Sequence, residues 1–195
     1  MRAGRNARFP CGHKYLADLL PSQHLRRQFI RYPDGVAVRW LDDDEMRAWR
    51  GLVDVVNDVR VSLDADLMEQ HDLAEGDYGV LVTLSEAPDR VMRMCDLANT
   101  MHLSPSGLTR RLDGLVRAGL VDRVPAPDDR RVSLALLTPA GYARLRRAAP
   151  DHVESVRRHV LDHLTRTQIK QLGAALDAIR RGRAAAGEPE ASAAH

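Results

Sequence analysis

Apolar residues recur along most of this chain at helical spacing, and in one stretch the period changes. From Asp42 to about Met68, Trp49, Leu52, Val53, Val56, Val59 and Leu63 keep to one side of a long helix. Its first turn, Asp42–Asp43–Asp44–Glu45, is acidic and has capping-box spacing. Leu73 to Leu84 predicts a second helix with Tyr78, Leu81 and Leu84 inward, ended by the run SEAPDR. Arg90 to Met92 is a candidate for a short strand. Met94, Leu97, Ala98 and Met101 then mark a short helix that ends near Met101.

Ser104-Pro105 reads as an N-cap followed by proline at the first helical position, where a missing N–H costs nothing. From there Leu108, Leu112, Leu115 and Gly119 lie along one side, and Gly119 is a natural stop. Ser106, Thr109, Arg110, Asp113 and Arg117 fall on or toward the opposite face. Leu120 to Val124 and Val132 to Leu137 read as strands. Between them, two prolines in PAPDDRR are expected to stop pairing and leave a charged, exposed tip. Two short helices across a tight turn, followed by a hairpin, make a winged helix-turn-helix. The fold class expected is mainly α, with a small β part (α+β).

Beyond the hairpin, Thr138-Pro139 is a second cap-plus-proline start. The helix it opens runs through Tyr142, Leu145 and Ala149, with Pro150 expected to kink or divide it. It resumes through Val153, Val156, Val160 and Leu164. Thr165 and Gln168 form a capping box for a last helix, with Ile169, Leu172, Leu176 and Ile179 inward and Gly182 able to stop it. Helices with apolar faces thus flank the winged segment on both sides. Neither flank has enough partners in its own chain, which predicts an intertwined homodimer. The expected organisation is a basic extension over 1–40, a dimerisation helix over 41–72, and a DNA-binding domain over 73–138. Dimerisation helices over 139–183 and a disordered tail over 184–195 complete it.

Composition narrows the chemistry. The 195 residues are 44% hydrophobic and 29% charged, with a formal net charge of only +2, so affinity for a polyanion must come from local patches. The aromatic content of 4% argues against a stacking platform for single strands. Residues 1–40 carry eight Lys/Arg against two Asp. They read as a disordered or loosely packed extension, as a basic arm for phosphate or a dimer partner, or as the product of a misassigned start. Two cysteines, Cys11 and Cys95, exclude a disulfide framework and suit a reducing cytoplasm. No apolar run reaches the length of a membrane span, so no membrane partner is expected.

The outer face of the capped helix is where binding chemistry concentrates. A helix N-terminus offers N–H groups and positive dipole to phosphate, and small Ser106 and Gly107 permit close approach. Arg110 has the reach and fork to bond a guanine edge, and Thr109 a base or a phosphate. Arg130 and Arg131 at the hairpin tip suit a phosphate or a minor groove, and Asp129 can hold Arg131 outward. The DNA-binding set read here is Ser104, Pro105, Ser106, Gly107, Thr109, Arg110, Arg111, Asp129, Arg130 and Arg131. An ordinary solvated helix face is the bland alternative. The capped helix, the Arg-tipped hairpin and the Thr-Pro start occurring together favour double-stranded DNA.

The run LANTMHLSPSGLTRRLDGLVRAGLVDRVPAPDDRRVSLALLTPAG resembles the core of the MarR family of bacterial transcription regulators. Asp129 to Arg131 matches that family's wing-tip D-x-R. The resemblance implies a cytoplasmic homodimer that binds a pseudo-palindromic operator, in most cases as a repressor. It also implies release by a small molecule, often an aromatic acid held where the dimer helices meet the winged domain; Trp49, Tyr78 and Arg90 are candidates to line that space. Arg111, where the family usually shows an apolar residue, is one departure from the pattern, and the long N-terminal extension is another.

Other residues suggest other triggers and functions. His159 and His163 have the i, i+4 spacing of metal ligands, with His152 and Asp162 near in sequence, yet no further motif completes a site. No resident metal or cofactor is expected. Cys95 is expected to be buried and inert, and Cys11 has basic neighbours in Arg8 and Lys14 but no adjacent resolving cysteine. A metal- or redox-responsive regulator of the same fold is one alternative, and a protein-interaction module without DNA is another. The absence of a nucleophile elbow, a P-loop or a dinucleotide turn argues against an enzyme.

Overall fold

Asp42 and Glu45 cap each other reciprocally: Asp42 N–H donates to Glu45 Oε2 (3.0 Å) and Glu45 N–H to Asp42 Oδ1 (2.8 Å). Helix α1 (Asp43–His71) starts there, in a computed structural model that describes residues 39–127, 129 and 131–186. The expectations for 1–38, Cys11 and Arg130 therefore lie outside the described residues, as does most of the tail. The chain divides into two units after Asp58, within α1. In the first unit, Trp49, Leu52, Val55 and Val56 are exposed on the helix.

The second unit holds the core. Asp72 turns the chain with a φ of 46°, and Leu73 is buried. Helix α2 (Glu75–Glu86) begins at Ala74, which has no side chain to cap it. Asp64 of α1 supplies the cap instead, its Oδ1 accepting from Glu75 N–H at 2.8 Å. A short 3-10 turn (Pro88–Arg90) leads into β1 (Val91–Arg93), then α3 (Met94–Thr100) and α4 (Pro105–Arg117). Strands β2 (Val121–Pro125) and β3 (Ser133–Leu137) follow. The antiparallel sheet has the order β1-β3-β2, with Met92 and Arg123 both opposite Ala135. Leu81, Leu84, Leu97, Leu108, Leu112 and Val121 pack between helices and sheet with essentially no exposure.

Pairing continues through Pro125, opposite Ser133, although proline was expected to end it. The edge position of β2 explains the difference, since an edge strand tolerates a residue without an N–H.

Helix α5 (Pro139–His159) contains Pro150 and is not divided by it. Burial on both sides of the proline, at Leu145 and Ala148 before it and Ser155 after it, holds the two halves as one helix. The predicted continuation to Leu164 fails at Val160, where φ is −133° and ψ −65°, and a 3-10 turn (Leu161–His163) follows. Thr165 and Gln168 form the expected capping box for α6 (Arg166–Ala185). Gly182 does not stop this helix: it sits in the last turn, and Arg183, Ala184 and Ala185 are strong helix formers that carry it on.

Candidate nucleic-acid interface

Two left-handed residues build the helix-turn-helix. After α3, His102 takes a φ of 51°, His102 N–H bonds Asn99 O, and Leu103 N–H reaches back to Ala98 O. After α4, Gly119 takes a φ of 69°, Gly119 N–H bonds Val116 O, and Leu120 N–H bonds Leu115 O. Each pair of bonds is a Schellman motif, which ends a helix while satisfying its last carbonyls. Between the two stops, Ser104 caps α4 by accepting from Gly107 N–H at 3.1 Å. Leu108, Leu112 and Leu115 fix the buried side. Ser104, Pro105, Ser106, Thr109 and Arg110 are then exposed, with Gly107 half-buried beside the cap. Arg110 has no side-chain partner among the described residues.

Arg111 is placed differently. Its Nη1 donates to Asp77 Oδ1 of α2 at 3.0 Å, so the guanidinium is held in the seam between α2 and α4. A side-chain Cβ at Gly76 would stand 2.1 Å from that Nη1, so the glycine leaves the seat that Arg111 occupies. Nothing in the local pattern gives this away, because Asp77 lies a helix and a strand earlier in the chain.

At the hairpin, Asp129 Oδ1 accepts from Arg131 N–H at 2.9 Å, and Val132 N–H bonds Asp129 O at 2.9 Å. Asp129 thus grips the turn backbone on either side of Arg131, whose own side chain is exposed. The base of the hairpin is fastened as well. Thr138 Oγ1 donates toward the carbonyls of Gly119 (2.8 Å) and Leu120 (3.1 Å) and accepts from Gly141 N–H (3.0 Å). Gly141 is packed so closely that a Cβ there would lie 2.0 Å from Leu120 O.

Arg123 is a residue that the sequence reading missed. Its Nη2 donates to Thr109 O at 2.8 Å and pairs with Asp113 Oδ1 at 3.0 Å, tying β2 to α4. The signal was present in strand alternation, since Arg123 follows buried Val121 by two positions and shares its face.

The candidate effector residues have separate partners. Trp49 is half-exposed on α1 in the first unit. In the second unit, Tyr78 packs on His152 with ring centroids 4.4 Å apart. Burial raises the tyrosine's pKa and lowers that of the histidine. The Arg90 guanidinium lies 3.7 Å over the Tyr142 ring. A cavity of about 480 Å³ opens elsewhere, lined by Arg60, Asp64, Glu75, Gly76 and Arg111 among others.

His159 and His163 do not share a helix face, because α5 ends between them. His159 Nε2 is 2.8 Å from Asp66 Oδ2, and that carboxylate also accepts from Ser155 Oγ and Arg158. The Ser155 bond, with help from His159 and Arg158, outweighs desolvation and lowers the Asp66 pKa to about 2. His163 is exposed in the following turn. Cys95 is exposed, contrary to expectation: Leu97 and Ala98 take the buried side of α3 and leave the thiol beside Asp96. No helix among the described residues is long and apolar enough to cross a membrane.

Comparison with known proteins agrees with this geometry. Residues 73–133, from the start of α2 to β3, match the model of the MarR family. The transcriptional repressor YetL of Bacillus subtilis (strain 168) is 33% identical over 84 residues, 43% of this chain and 50% of that protein. The regulator PecS of Dickeya dadantii (strain 3937) is 33% identical over 105 residues, 50% of this chain and 63% of that protein. The chain therefore spans between half and two thirds of the length of these curated relatives. Among solved structures, Sco3205 from Streptomyces coelicolor, a MarR family transcriptional regulator in complex with DNA, is 36% identical with a TM-score of 0.68. That match covers 73% of this chain and 93% of Sco3205. AbsC from the same organism is 39% identical with the same TM-score, over 74% of this chain and 97% of AbsC. Sequence and fold agree over nearly the whole of both structures, and on that ground the chain belongs to the MarR family of transcriptional regulators.

Proposed function

We propose that this protein is a sequence-specific regulator, acting as a repressor, that binds an operator in double-stranded DNA as a homodimer. The observation that carries the reading is the pairing of two preorganised elements. One is the capped, outward polar face of α4, and the other is a hairpin whose turn Asp129 holds around an exposed Arg131. Helix α4 enters the major groove, where Arg110 reads a base edge while Ser104, Ser106, Gly107 and Thr109 meet the backbone. Arg131 enters the flanking minor groove, preferring a narrow A·T-rich tract. Sco3205 was solved in complex with DNA, which supports this use of the fold. We leave Arg111 out of the contact set because Asp77 already holds it.

Dimerisation rests on α1 and α6, where Trp49, Leu52, Val56, Leu172, Leu176 and Ile179 are exposed among the described residues. For the effector we favour a small organic acid in the cavity beside Arg60 and Arg111. An anion there competes with Asp77 for the Arg111 guanidinium and so reaches α4 directly.

Selection from a random-sequence duplex library, followed by footprinting of the enriched duplex, tests the proposal. The expected product is a two-fold symmetric site with half-sites about 10 base pairs apart. Failure to enrich any sequence, or equal affinity for all duplexes, refutes it.

A further inference from the structure

We infer that Arg123 is a positioning residue for DNA reading: it sets the orientation of α4 about its own axis and takes no phosphate itself. The inference rests on the DNA-binding reading above and extends it to a residue outside the contact surface.

The argument starts from the helix. Leu108, Leu112 and Leu115 fix which side of α4 is buried. Polar ties on the flanks add directional constraints to that packing. Residues 111 and 113 are two positions apart, about 200° around the helix, so they emerge on nearly opposite flanks. Asp77 of α2 holds Arg111 on one flank, and Arg123 of β2 holds Asp113 on the other. Between the two clamps, the outward face carries Ser106, Arg110 and Arg117.

Arg123 is suited to this work. Its Nη2 is shared between a backbone carbonyl, Thr109 O, and a side chain, Asp113 Oδ1, one turn apart on the same flank. A bond to the helix backbone fixes the helix itself and not merely a rotamer. The guanidinium side chain is largely covered, at 28% exposure, and its Nε is buried without a partner, so it is not offered to DNA. Its second effect is electrostatic. Asp113 is 51% exposed near the face that would meet phosphate, and Arg123 neutralises it there.

A phosphate contact and a positioning contact differ in what they move. Losing a phosphate contact weakens binding to every sequence alike and lowers the salt dependence by roughly one counterion. Losing orientation degrades the match to bases and leaves the salt dependence alone. The test measures binding to two duplexes across a salt series: the one enriched by the wild-type protein, and the same duplex with one half-site scrambled. Arg123→Met keeps the packing of the stem and removes the fork. It should lower the preference for the enriched duplex about tenfold, with the salt slope and scrambled-duplex affinity unchanged. Asp113→Asn removes a negative charge, yet should lower the preference in the same direction. The double variant should be no worse than the worse single one. Should Arg123→Met fail to fold, as judged by its circular dichroism, Asp113→Asn alone carries the test. A salt slope that falls by about one, or an Asp113→Asn variant that binds as selectively as wild type, overturns the inference. Failure of the wild type to enrich any duplex would overturn the DNA-binding reading as well, so the two failures are told apart.

Discussion

Helices α4 and α6 look alike on paper and end up in opposite situations. Each opens on a hydroxyl cap, Ser104 in one and Thr165 in the other, and each carries large aliphatic residues at helical spacing. In α4 the aliphatic row is sealed, with Leu108, Leu112 and Leu115 essentially unexposed. In α6 no residue is buried, and Leu172, Leu176 and Ile179 are 42%, 38% and 52% exposed. Periodicity therefore states that a face must be covered but not by what. The cover for α4 comes from α2, α3 and the sheet, and under the proposed function that for α6 comes from a second copy.

That contrast breaks first at its leucines. Leu112→Ala should lower the unfolding free energy by about 2–5 kcal/mol, the usual cost of truncating a core leucine, as read by chemical denaturation. Leu176→Glu should leave the helical circular dichroism intact and halve the mass in sedimentation. If Leu176→Glu sediments like wild type, α6 is not a dimer element, and the proposed contrast fails.

The hairpin sharpens the comparison on the DNA side. Arg131→Ala should weaken binding to the enriched duplex by about 1–3 kcal/mol while the melting temperature stays put. Asp129→Ala should reproduce part of that loss although it removes a negative charge, because Arg131 N–H loses its acceptor. An Asp129→Ala variant that binds as tightly as wild type would show that Arg131 acts without this support.

Smaller effects are expected at the caps. Ser104→Ala and Thr165→Ala should each cost about 1 kcal/mol in stability, a value common to N-caps whatever the helix packs against. A cap effect confined to α4 would mean that α6 does not unfold with the rest. An acid-linked effect, confined to low pH, sits between α1 and α5. The pKa of Asp66 is about 2 in the folded protein against an ordinary 3.8. Its ionised form thus adds stability that is complete above pH 3.8 and is lost as pH falls toward 2. Asp66→Asn should flatten the pH dependence of stability in that window, and an unchanged acid titration would sink the assignment.

Local rules made much of this fold legible. The caps at Ser104, Thr138 and Thr165 and the stop at Gly119 are each decided within four or five residues, and each stands where the pattern put it. Features decided by distant partners were not legible. Arg111 reads as part of an exposed basic pair until Asp77 is known to lie beside it. The capping of α2 by Asp64 has no local signature, since the cap position itself is an alanine. Gly182 was over-read as a stop, and Pro150 does not divide its helix, because propensity is weak where packing or a strong helix-forming end opposes it. At the candidate interface, chemistry was legible residue by residue, whereas the ties that aim it were not.

The closeness of Gly141 to Leu120 makes the base of the hairpin a welded joint. With a hydroxyl bonded across it and no room for even a methyl group, the start of α5 and the root of β2 cannot slide past one another. Helix α5 is about 30 Å long at 1.5 Å per residue, so the joint sits at one end of a long element. At that end the two segments meet backbone to backbone, with no side chain between them to yield.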